Sequence, residues 1–366
     1  MNVFLVLTPL QLINALEAKA HFTTTDNVLI VLRHSSLGYP VSMFKRLIRE
    51  DDWDRLYFLS TFDAERVQKL GLLYWHLLCA RQRRRLDRLA AHLGPADGLF
   101  IGQYHEPIAR HFSNTLPYRT LYLIDDGTST LETHGERYAR TRPGRLKGLR
   151  AALRDTLTGF RTHQAERVIF FSAYDLEPRP GDALVRNHFT HFRQSIAAAP
   201  QTNEVWFLGE PLSLDGYVTK ETYLETLVLA QRFYRHARFV YLPHSREQQS
   251  DVDELQAALG CEVRRYGLPI EVVLSVATSR PREIASFITS AIPNCAIMFG
   301  KTLKLTSVYL EPSQLLNHHA FTEGVYNHFR NDVGPNVRIL TREALGAQAG
   351  GPLTPTAART RPNRLE

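Results

Sequence analysis

Two adjacent carboxylates, Asp125 and Asp126, stand where the apolar run Thr120–Ile124 ends. The run predicts a buried strand, and Gly127 permits a sharp turn off its end. A carboxylate held at a strand end and partly withdrawn from water can act as a general base, and a second carboxylate beside it raises its pKa. A plain strand–turn junction capped by Asp has the same pattern, so catalysis and capping both stay open at this point.

A histidine follows a second apolar run. His244 comes shortly after the predicted strand Arg238–Leu242, with Arg246 close behind it. An imidazole with a guanidinium nearby can bind a phosphate, and it can protonate or stabilise a leaving group. A loop histidine that only packs against its neighbours is the alternative.

Two further segments carry groups suited to a nucleotide. Glu271 follows a Gly-Leu-Pro turn and can accept hydrogen bonds from ribose hydroxyls, although Glu is also favoured in the first turn of any helix. Thr289 and Ser290 are predicted to open a helix, where hydroxyls and free backbone amides can bind phosphate. The same hydroxyls can instead serve as ordinary helix caps.

Pairs of carboxylates invite a metal interpretation, which the sequence does not favour. Asp251 and Asp253 lie at the start of the predicted helix Asp251–Leu259, where the helix dipole favours acidic side chains anyway. Asp125 and Asp126 are consecutive, and consecutive side chains at a strand end diverge. We therefore expect no metal site.

The segments that must position these residues alternate between short apolar runs and longer amphipathic ones. Strands are predicted at Val3–Leu7, Val28–Leu32, Arg55–Leu59, Gly98–Ile101, Thr120–Ile124 and Arg167–Phe171, and then at Glu204–Leu208, Arg238–Leu242, Glu262–Tyr266, Cys295–Met298 and Ser307–Leu310. Helices are predicted at Leu10–Ala20, Ala64–Leu93, Lys220–His236 and Asp251–Leu259. Strand–helix alternation favours parallel sheets covered by helices, and two series predict two domains of the α/β class. Ligands bind such sheets at the carboxyl ends of the strands, where the motifs above stand.

The length of 366 residues also exceeds what one hydrophobic core usually serves. We predict an N-terminal domain over residues 1–195 and a C-terminal domain over residues 196–345. Residues 346–366, rich in Gly, Pro, Thr and Arg, are predicted to form a disordered tail.

The net charge of +7 favours anionic partners such as sugar nucleotides, anionic glycans, nucleic acid or a lipid surface. Basic residues concentrate in Arg81–Arg88 and Arg140–Arg154. These runs suit docking on anionic lipid, steering of an anionic acceptor, or a plain solvated helix face, and the sequence leaves all three open. No nucleic-acid motif is present and the runs lack interleaved aromatic residues, which disfavours a nucleic-acid partner.

The expected location is the cytoplasm, with peripheral contact at the inner face of the inner membrane as an option. Three cysteines without metal or redox spacing, Cys79, Cys261 and Cys295, favour a reducing compartment. The apolar start Val3–Leu7 lacks a basic leader and indicates a strand rather than a signal peptide, and no apolar run has the length of a membrane span.

Taken together, the motifs resemble those of bacterial polysialyltransferases and lipooligosaccharide sialyltransferases. Those families share an acidic-acidic-Gly motif, a His-Pro motif and a Ser/Thr motif, and this chain has Asp125-Asp126-Gly127, Pro243-His244 and Thr289-Ser290 in that order. The segments Thr8–Asn14 and Phe207–Pro211 also resemble these families, so the likeness spans roughly residues 1–310.

The resemblance implies a GT-B type fold, with two Rossmann-like domains facing across a cleft: residues 1–195 on the acceptor side, and residues 196–345 binding the CMP-activated donor. It implies an inverting, metal-independent transfer of sialic acid from CMP-sialic acid to a glycan hydroxyl of a cell-surface polysaccharide or lipooligosaccharide, with no cofactor. By position, Asp126 would deprotonate the acceptor and His244 would serve the donor phosphate. The remaining residues implied are Gly209, Glu271, Thr289 and Ser290 for the donor, with Asp125, Gly127, Arg246, Thr8 and Gln11 in support.

One position departs from the family pattern. Ser245 stands where those families have Pro after the histidine, while Pro243 precedes it. The departure leaves room for another CMP-activated acidic sugar. The alternatives are a GT-B glycosyltransferase with a different nucleotide sugar, a basic nucleic-acid-binding protein, and a non-catalytic partner in capsule assembly.

Overall fold

A computed structural model describes residues 1–33, 39, 41–61, 72–127, 129–138, 158–333 and 336–349. The chain divides into two compact units. The first unit contains Met1–Ala198 and Glu271–Val276, and the second contains Ala199–Ile270 and the residues from Ala277 onward.

The first unit is built on a seven-stranded parallel sheet in the order β3-β2-β1-β4-β5-β6-β7. Its strands are β1 Asn2–Val6, β2 Asn27–Arg33, β3 Arg55–Ser60, β4 Ala96–Ile101, β5 Tyr118–Ile124, β6 Ile169–Ser172 and β7 Ala183–Arg186. The order reverses between β1 and β4, which is the kind of switch point where open α/β sheets bind ligands.

The helices of the first unit cover this sheet. Those described within Met1–Ala198 are α1 Pro9–His21, α2 Val41–Leu47, α3 Leu72–Leu93, α4 Pro107–Ser113, α5 Ser129–Tyr138 and α6 Thr190–Ala198. The sequence sets the start of α1, because Thr8 Oγ1 accepts from the backbone N–H of Gln11 at 3.2 Å and Pro9 fills the first helical position. The strand side chains are buried on both faces, as Val3, Phe4 and Leu5 illustrate.

The second unit repeats the plan with a six-stranded parallel sheet in the order β10-β9-β8-β11-β12-β13. Its strands are β8 Glu204–Leu208, β9 Arg238–Leu242, β10 Glu262–Val263, β11 Glu283–Ser286, β12 Lys304–Val308 and β13 Val337–Leu340. The helices in this part of the chain are α7 Lys220–Phe233, α8 Gln249–Leu259, α9 Ile270–Ser275, α10 Ala291–Phe299, α11 His319–His328 and α12 Arg342–Ala349. From Glu271 onward, α9 belongs to the first unit.

The α/β class and the two parallel sheets are confirmed. The strands predicted at Val28–Leu32, Glu204–Leu208 and Arg238–Leu242 lie within or coincide with β2, β8 and β9. The helix predicted at Ala64–Leu93 is confirmed from Leu72 onward, and residues 64–71 lie outside the described residues.

The strand predicted at Cys295–Met298 is wrong, because these residues lie in α10. A short apolar run does not by itself distinguish a strand from a buried helix. The burial of Ile292, Cys295, Ala296 and Phe299 has the i, i+3, i+4, i+7 spacing of a helix.

Three strands were not predicted: β7, β11 and β13. The run Glu283–Ser286 that forms β11 is short and has polar residues at both ends, so its pattern does not stand out. The predicted tail is wrong for residues 346–349, which complete α12, and its remaining residues lie outside the described part of the chain.

Candidate functional site

Asp125 anchors the carboxyl end of β5 to the end of β6. Its side chain is buried, and Oδ2 accepts from the backbone N–H of Ala173 at 2.7 Å. Burial raises the pKa of Asp125 to about 6, against the opposing hydrogen bonds from Ser172, Ala173 and Thr130. The buried position suits a structural carboxyl group that holds its neighbour in place.

Asp126 is half-buried at the same sheet edge. Burial raises the pKa of its carboxyl group, while the neighbouring side chains of Gln11 and Thr8 and the charge of His105 lower it. Thr8 Oγ1 lies 3.4 Å from Asp126 Oδ1, and the Asp126 backbone N–H donates to Thr130 Oγ1 at 2.9 Å. A carboxylate with a raised pKa and access to solvent can take a proton from a bound hydroxyl.

Two glycines shape the surroundings of Asp126. Gly127 has a φ of +60°, a left-handed conformation that favours glycine. Gly102 makes room for Gln11, since a β-carbon there would overlap the Gln11 side chain. Gln11 Oε1 accepts from the backbone N–H of Leu7 at 2.8 Å, which fixes the amide beside Asp126.

His105 is a site residue that the sequence pattern did not single out. It follows β4, its Nε2 lies 2.8 Å from Thr133 Oγ1, and its charge lowers the pKa of Asp126. The signal for it was its place just beyond the strand predicted at Gly98–Ile101, at the same edge as Asp126. Thr8, Gln11, His105 and Asp126 form what we call the first-unit cluster, which gathers the carboxyl ends of β1, β4 and β5.

His244 lies in the loop after β9 in the second unit. Its backbone N–H donates to Glu247 Oε2 at 2.6 Å, and its ring Nδ1 accepts from the backbone N–H of Arg246 at 3.2 Å. An accepting Nδ1 places the proton of the neutral ring on Nε2. Burial and the charge of Arg246 lower the pKa of His244, while Asp215 opposes them. The ring is therefore a neutral Nε2–H donor at neutral pH.

Arg246 forms a forked ion pair with Asp215. The two Nη–Oδ distances are 2.9 and 2.7 Å. The ion pair with Asp215 therefore anchors the His244 loop, whether or not the guanidinium also contacts a ligand.

Gly209 permits close packing at the end of β8. Its backbone N–H donates to Leu242 O at 2.8 Å, and a β-carbon at this position would overlap both Tyr241 and Glu247. Glycine is required here for space, whichever ligand the loop binds.

Thr289 and Ser290 lie between β11 and α10. Thr289 Oγ1 accepts from the backbone N–H of Ala291 at 3.3 Å, and Ser290 occupies the position before the helix without a side-chain capping bond. The Ser290 side chain is exposed. In the first turn of α10, the N–H groups of Ala291 and Ile292 already donate to Thr289 and Pro293 has none, so the groups suited to an anion here are the two hydroxyls.

Glu271 is buried in α9 and is grouped with the first unit. The sequence pattern had placed it among the C-terminal nucleotide-binding residues. Its role towards a nucleotide stays a prediction, as does the cleft between the two domains.

Neither Asp251 nor Asp253 belongs to a candidate metal site. Asp251 pairs with Lys220 at 3.0 Å, and Asp253 accepts from Gln249 at 2.7 Å. Among the described residues, no group of three or more His, Cys, Asp or Glu side chains could hold a metal ion. In the same part of the chain, no helix combines the length and apolar character needed to cross a membrane. The basic run Arg140–Arg154 lies outside the described residues.

No protein-family model and no curated protein matches the chain. Among solved structures, it is similar to the Escherichia coli heptosyltransferase WaaC with ADP-2-deoxy-2-fluoro heptose, at 11% identity and a TM-score of 0.46 over 94% of each chain. It is similar to an α/β-galactoside α-2,3-sialyltransferase of Photobacterium phosphoreum, at 10% identity and a TM-score of 0.47, covering 92% of this chain and 97% of the other. A sialyltransferase GT-B domain of Photobacterium damselae gives 12% identity and a TM-score of 0.45, covering 93% and 100%.

Proposed function

We propose that the chain is an inverting glycosyltransferase that transfers sialic acid from CMP-sialic acid to a glycan hydroxyl. The observation that carries the proposal is Asp126, a half-buried carboxylate with a raised pKa at the carboxyl edge of a parallel sheet. In the second unit, His244 presents an N–H donor and the start of α10 presents hydroxyls, which suits a departing phosphate.

In the proposed reaction, Asp126 removes the proton of the acceptor hydroxyl. The acceptor oxygen forms a bond to the anomeric C2 of the sugar as the bond from C2 to the phosphate oxygen breaks. That oxygen keeps the electron pair and CMP departs. His244 Nε2–H and the hydroxyls of Thr289 and Ser290 stabilise the charge on the phosphate, so the proposed reaction requires no metal.

The test measures CMP released from CMP-sialic acid with and without glycan acceptors, in buffer containing EDTA. We expect Asp126→Asn to lower transfer by at least about a hundredfold, because it removes the base. Donor binding should stay close to that of the unaltered protein, as measured by calorimetry with CMP. Full turnover by a folded Asp126→Asn protein would remove Asp126 from the base role.

A donor screen separates sialic acid transfer from other glycosyl transfer. UDP-, GDP- and ADP-sugars are compared with CMP-sialic acid at equal concentration. Turnover only with a donor other than a CMP-sugar would retain a glycosyltransferase but reject the donor proposed here.

We also propose that α3 docks this protein on an anionic membrane surface. Six exposed residues of α3 lie at helical spacing on one face: Tyr74, Leu77, Arg81, Arg84, Arg85 and Arg88. The opposite face, including Leu86 and Leu89, is buried in the core. Exposed apolar side chains beside a row of arginines suit a bilayer interface better than a soluble polyanion, since only a bilayer offers both headgroup charge and apolar depth.

A further inference from the structure

The loop between β11 and α10 closes around a single carboxylate oxygen. Glu210 Oε1 accepts from Ser286 Oγ at 2.8 Å and from the backbone N–H groups of Phe287, Ile288 and Thr289 at 3.0, 2.9 and 3.0 Å. Successive backbone N–H groups that converge in this way form an anion-binding concavity. Here the anion belongs to the protein itself, so Glu210 sets the shape of the loop that carries Thr289 and Ser290.

A second carboxylate fixes the His244 loop in the same manner. Glu247 Oε2 accepts from the backbone N–H of His244 at 2.6 Å, and Oε1 accepts from Tyr241 OH at 2.6 Å. The backbone of His244 is therefore tied to the strand end from which its loop departs.

Two tyrosine hydroxyls link the backbone of Glu210 to the carboxylate of Glu247. The Glu210 backbone N–H donates to Tyr223 OH at 3.1 Å, and Tyr223 OH lies 2.9 Å from Tyr241 OH. Because Tyr241 donates to Glu247, the Tyr223 hydroxyl can donate to Tyr241, and the bonds run in one direction from Glu210 to Glu247. Such a directed chain strengthens each of its members.

We propose that this chain of hydrogen bonds positions the donor phosphate, because it holds the Thr289 loop and the His244 loop at a fixed separation. We call it the brace; its members are Glu210, Tyr223, Tyr241 and Glu247. The inference rests on the proposed function, since it takes the two loops to bind one phosphate.

The energetics of the brace favour a functional purpose. Burial raises the pKa of Glu247 and raises that of Glu210 to about 7. Carboxyl groups withdrawn from water destabilise a fold relative to apolar side chains of the same size, and they are typical of sites that need polar groups in fixed places.

The test begins with Tyr223→Phe, which breaks the chain in the middle and leaves both carboxylates and all ring packing in place. The control is Tyr234→Phe, a buried tyrosine of the same unit whose hydroxyl bonds Glu283 outside the brace. We measure hydrogen exchange of the amides of Phe287–Thr289, the NMR signals of the His244 ring, and CMP affinity by calorimetry.

We expect Tyr223→Phe to speed exchange at Phe287–Thr289, to shift the His244 ring signals, and to weaken CMP binding about tenfold. Tyr234→Phe should change none of these three measurements. Glu247→Ala should weaken CMP binding at least as much, and Glu247→Gln should restore part of it, because the amide oxygen can still accept from His244.

Two results would overturn the brace: unchanged CMP affinity in folded Tyr223→Phe protein, or an effect confined to one loop. The proposed function fails separately, if the unaltered protein neither binds CMP nor releases it from CMP-sialic acid. In that case the exchange and ring measurements still decide whether Tyr223 couples the two loops.

Discussion

The backbone N–H of Arg246 donates to Nδ1 of His244 at 3.2 Å, which leaves the ring proton on Nε2. Burial and the Arg246 charge lower the pKa of the same ring, so it is neutral when the pH is near 7. A neutral ring stabilises a phosphate by hydrogen bonding rather than by delivering a proton. This distinction predicts different transfer activities for two variants at position 244.

We expect His244→Gln to retain more transfer activity than His244→Ala, because the glutamine amide can still donate to the phosphate. Loss of the donor in His244→Ala should cost about 3 kcal/mol of barrier, or roughly a hundredfold in rate. Steady-state CMP release by the two variants provides the comparison. Equal inactivity of both variants, with intact folding, would instead make His244 a general acid.

The pH profile of kcat/KM should report the influence of His105 on Asp126. In the proposed reaction transfer requires ionised Asp126, so we expect activity to fall as the pH drops through the pKa of Asp126, which burial raises from its ordinary value. A positive charge at His105 lowers that pKa, so His105→Gln should move the acid limb to higher pH. His92→Gln, an exposed histidine at the end of α3, is the control. An acid limb that does not move in His105→Gln would show that His105 has no influence on the pKa of Asp126.

Glu210 should make the stability of the protein depend on pH. Its pKa is about 7 in the folded protein against an ordinary value of 4.5, so the folded state binds the proton more tightly than the unfolded chain does. The resulting stabilisation is complete below pH 4.5 and is lost as the pH rises through 7. Relative to Glu210→Gln, the unaltered protein should therefore lose up to about 3 kcal/mol between about pH 5 and pH 8.

Urea unfolding of both proteins at several pH values measures this difference. The contributions of titratable groups that the two proteins share cancel in it. A gap between Glu210→Gln and the unaltered protein that is constant with pH would mean that Glu210 keeps an ordinary pKa in the fold.

The arginine row of α3 should control binding to anionic vesicles. Replacing Arg81, Arg84, Arg85 and Arg88 by Glu should abolish co-sedimentation with phosphatidylserine vesicles, each arginine contributing about 1 kcal/mol. Arg119→Glu, which reverses the charge of an exposed side chain on β5, is the control for a general change of charge. Leu77→Ser should weaken binding even in high salt, which arginine changes alone do not explain. Vesicle binding that survives the fourfold reversal would reject α3 as the docking face.

Much of the fold follows from local pattern. The runs that form β2, β8 and β9 are apolar, rich in β-branched or aromatic residues, and buried on both faces, so period and composition agree. Asp126 and His244 stand where such runs end, which is why the sequence could single them out.

The residues that the sequence did not reveal depend on distant parts of the chain. Nothing near Glu210 in the sequence announces that its carboxylate meets amides more than seventy positions away. The role of His105 depends on Thr133 in α5 and on Asp126 just after β5. Local spacing finds polar groups at the ends of strands, but it does not find groups that act through tertiary contacts.

The partners of Glu210 also impose an order on how the molecule is assembled. Its carboxylate comes from the loop after β8, and its four donors come from the end of β11, which is made much later on the ribosome. A nascent chain that stops short of β11 has no donors for this carboxylate, and long-range pairing of this kind forms slowly. The loop proposed to hold the donor phosphate therefore takes its shape only after the chain has been synthesised past β11.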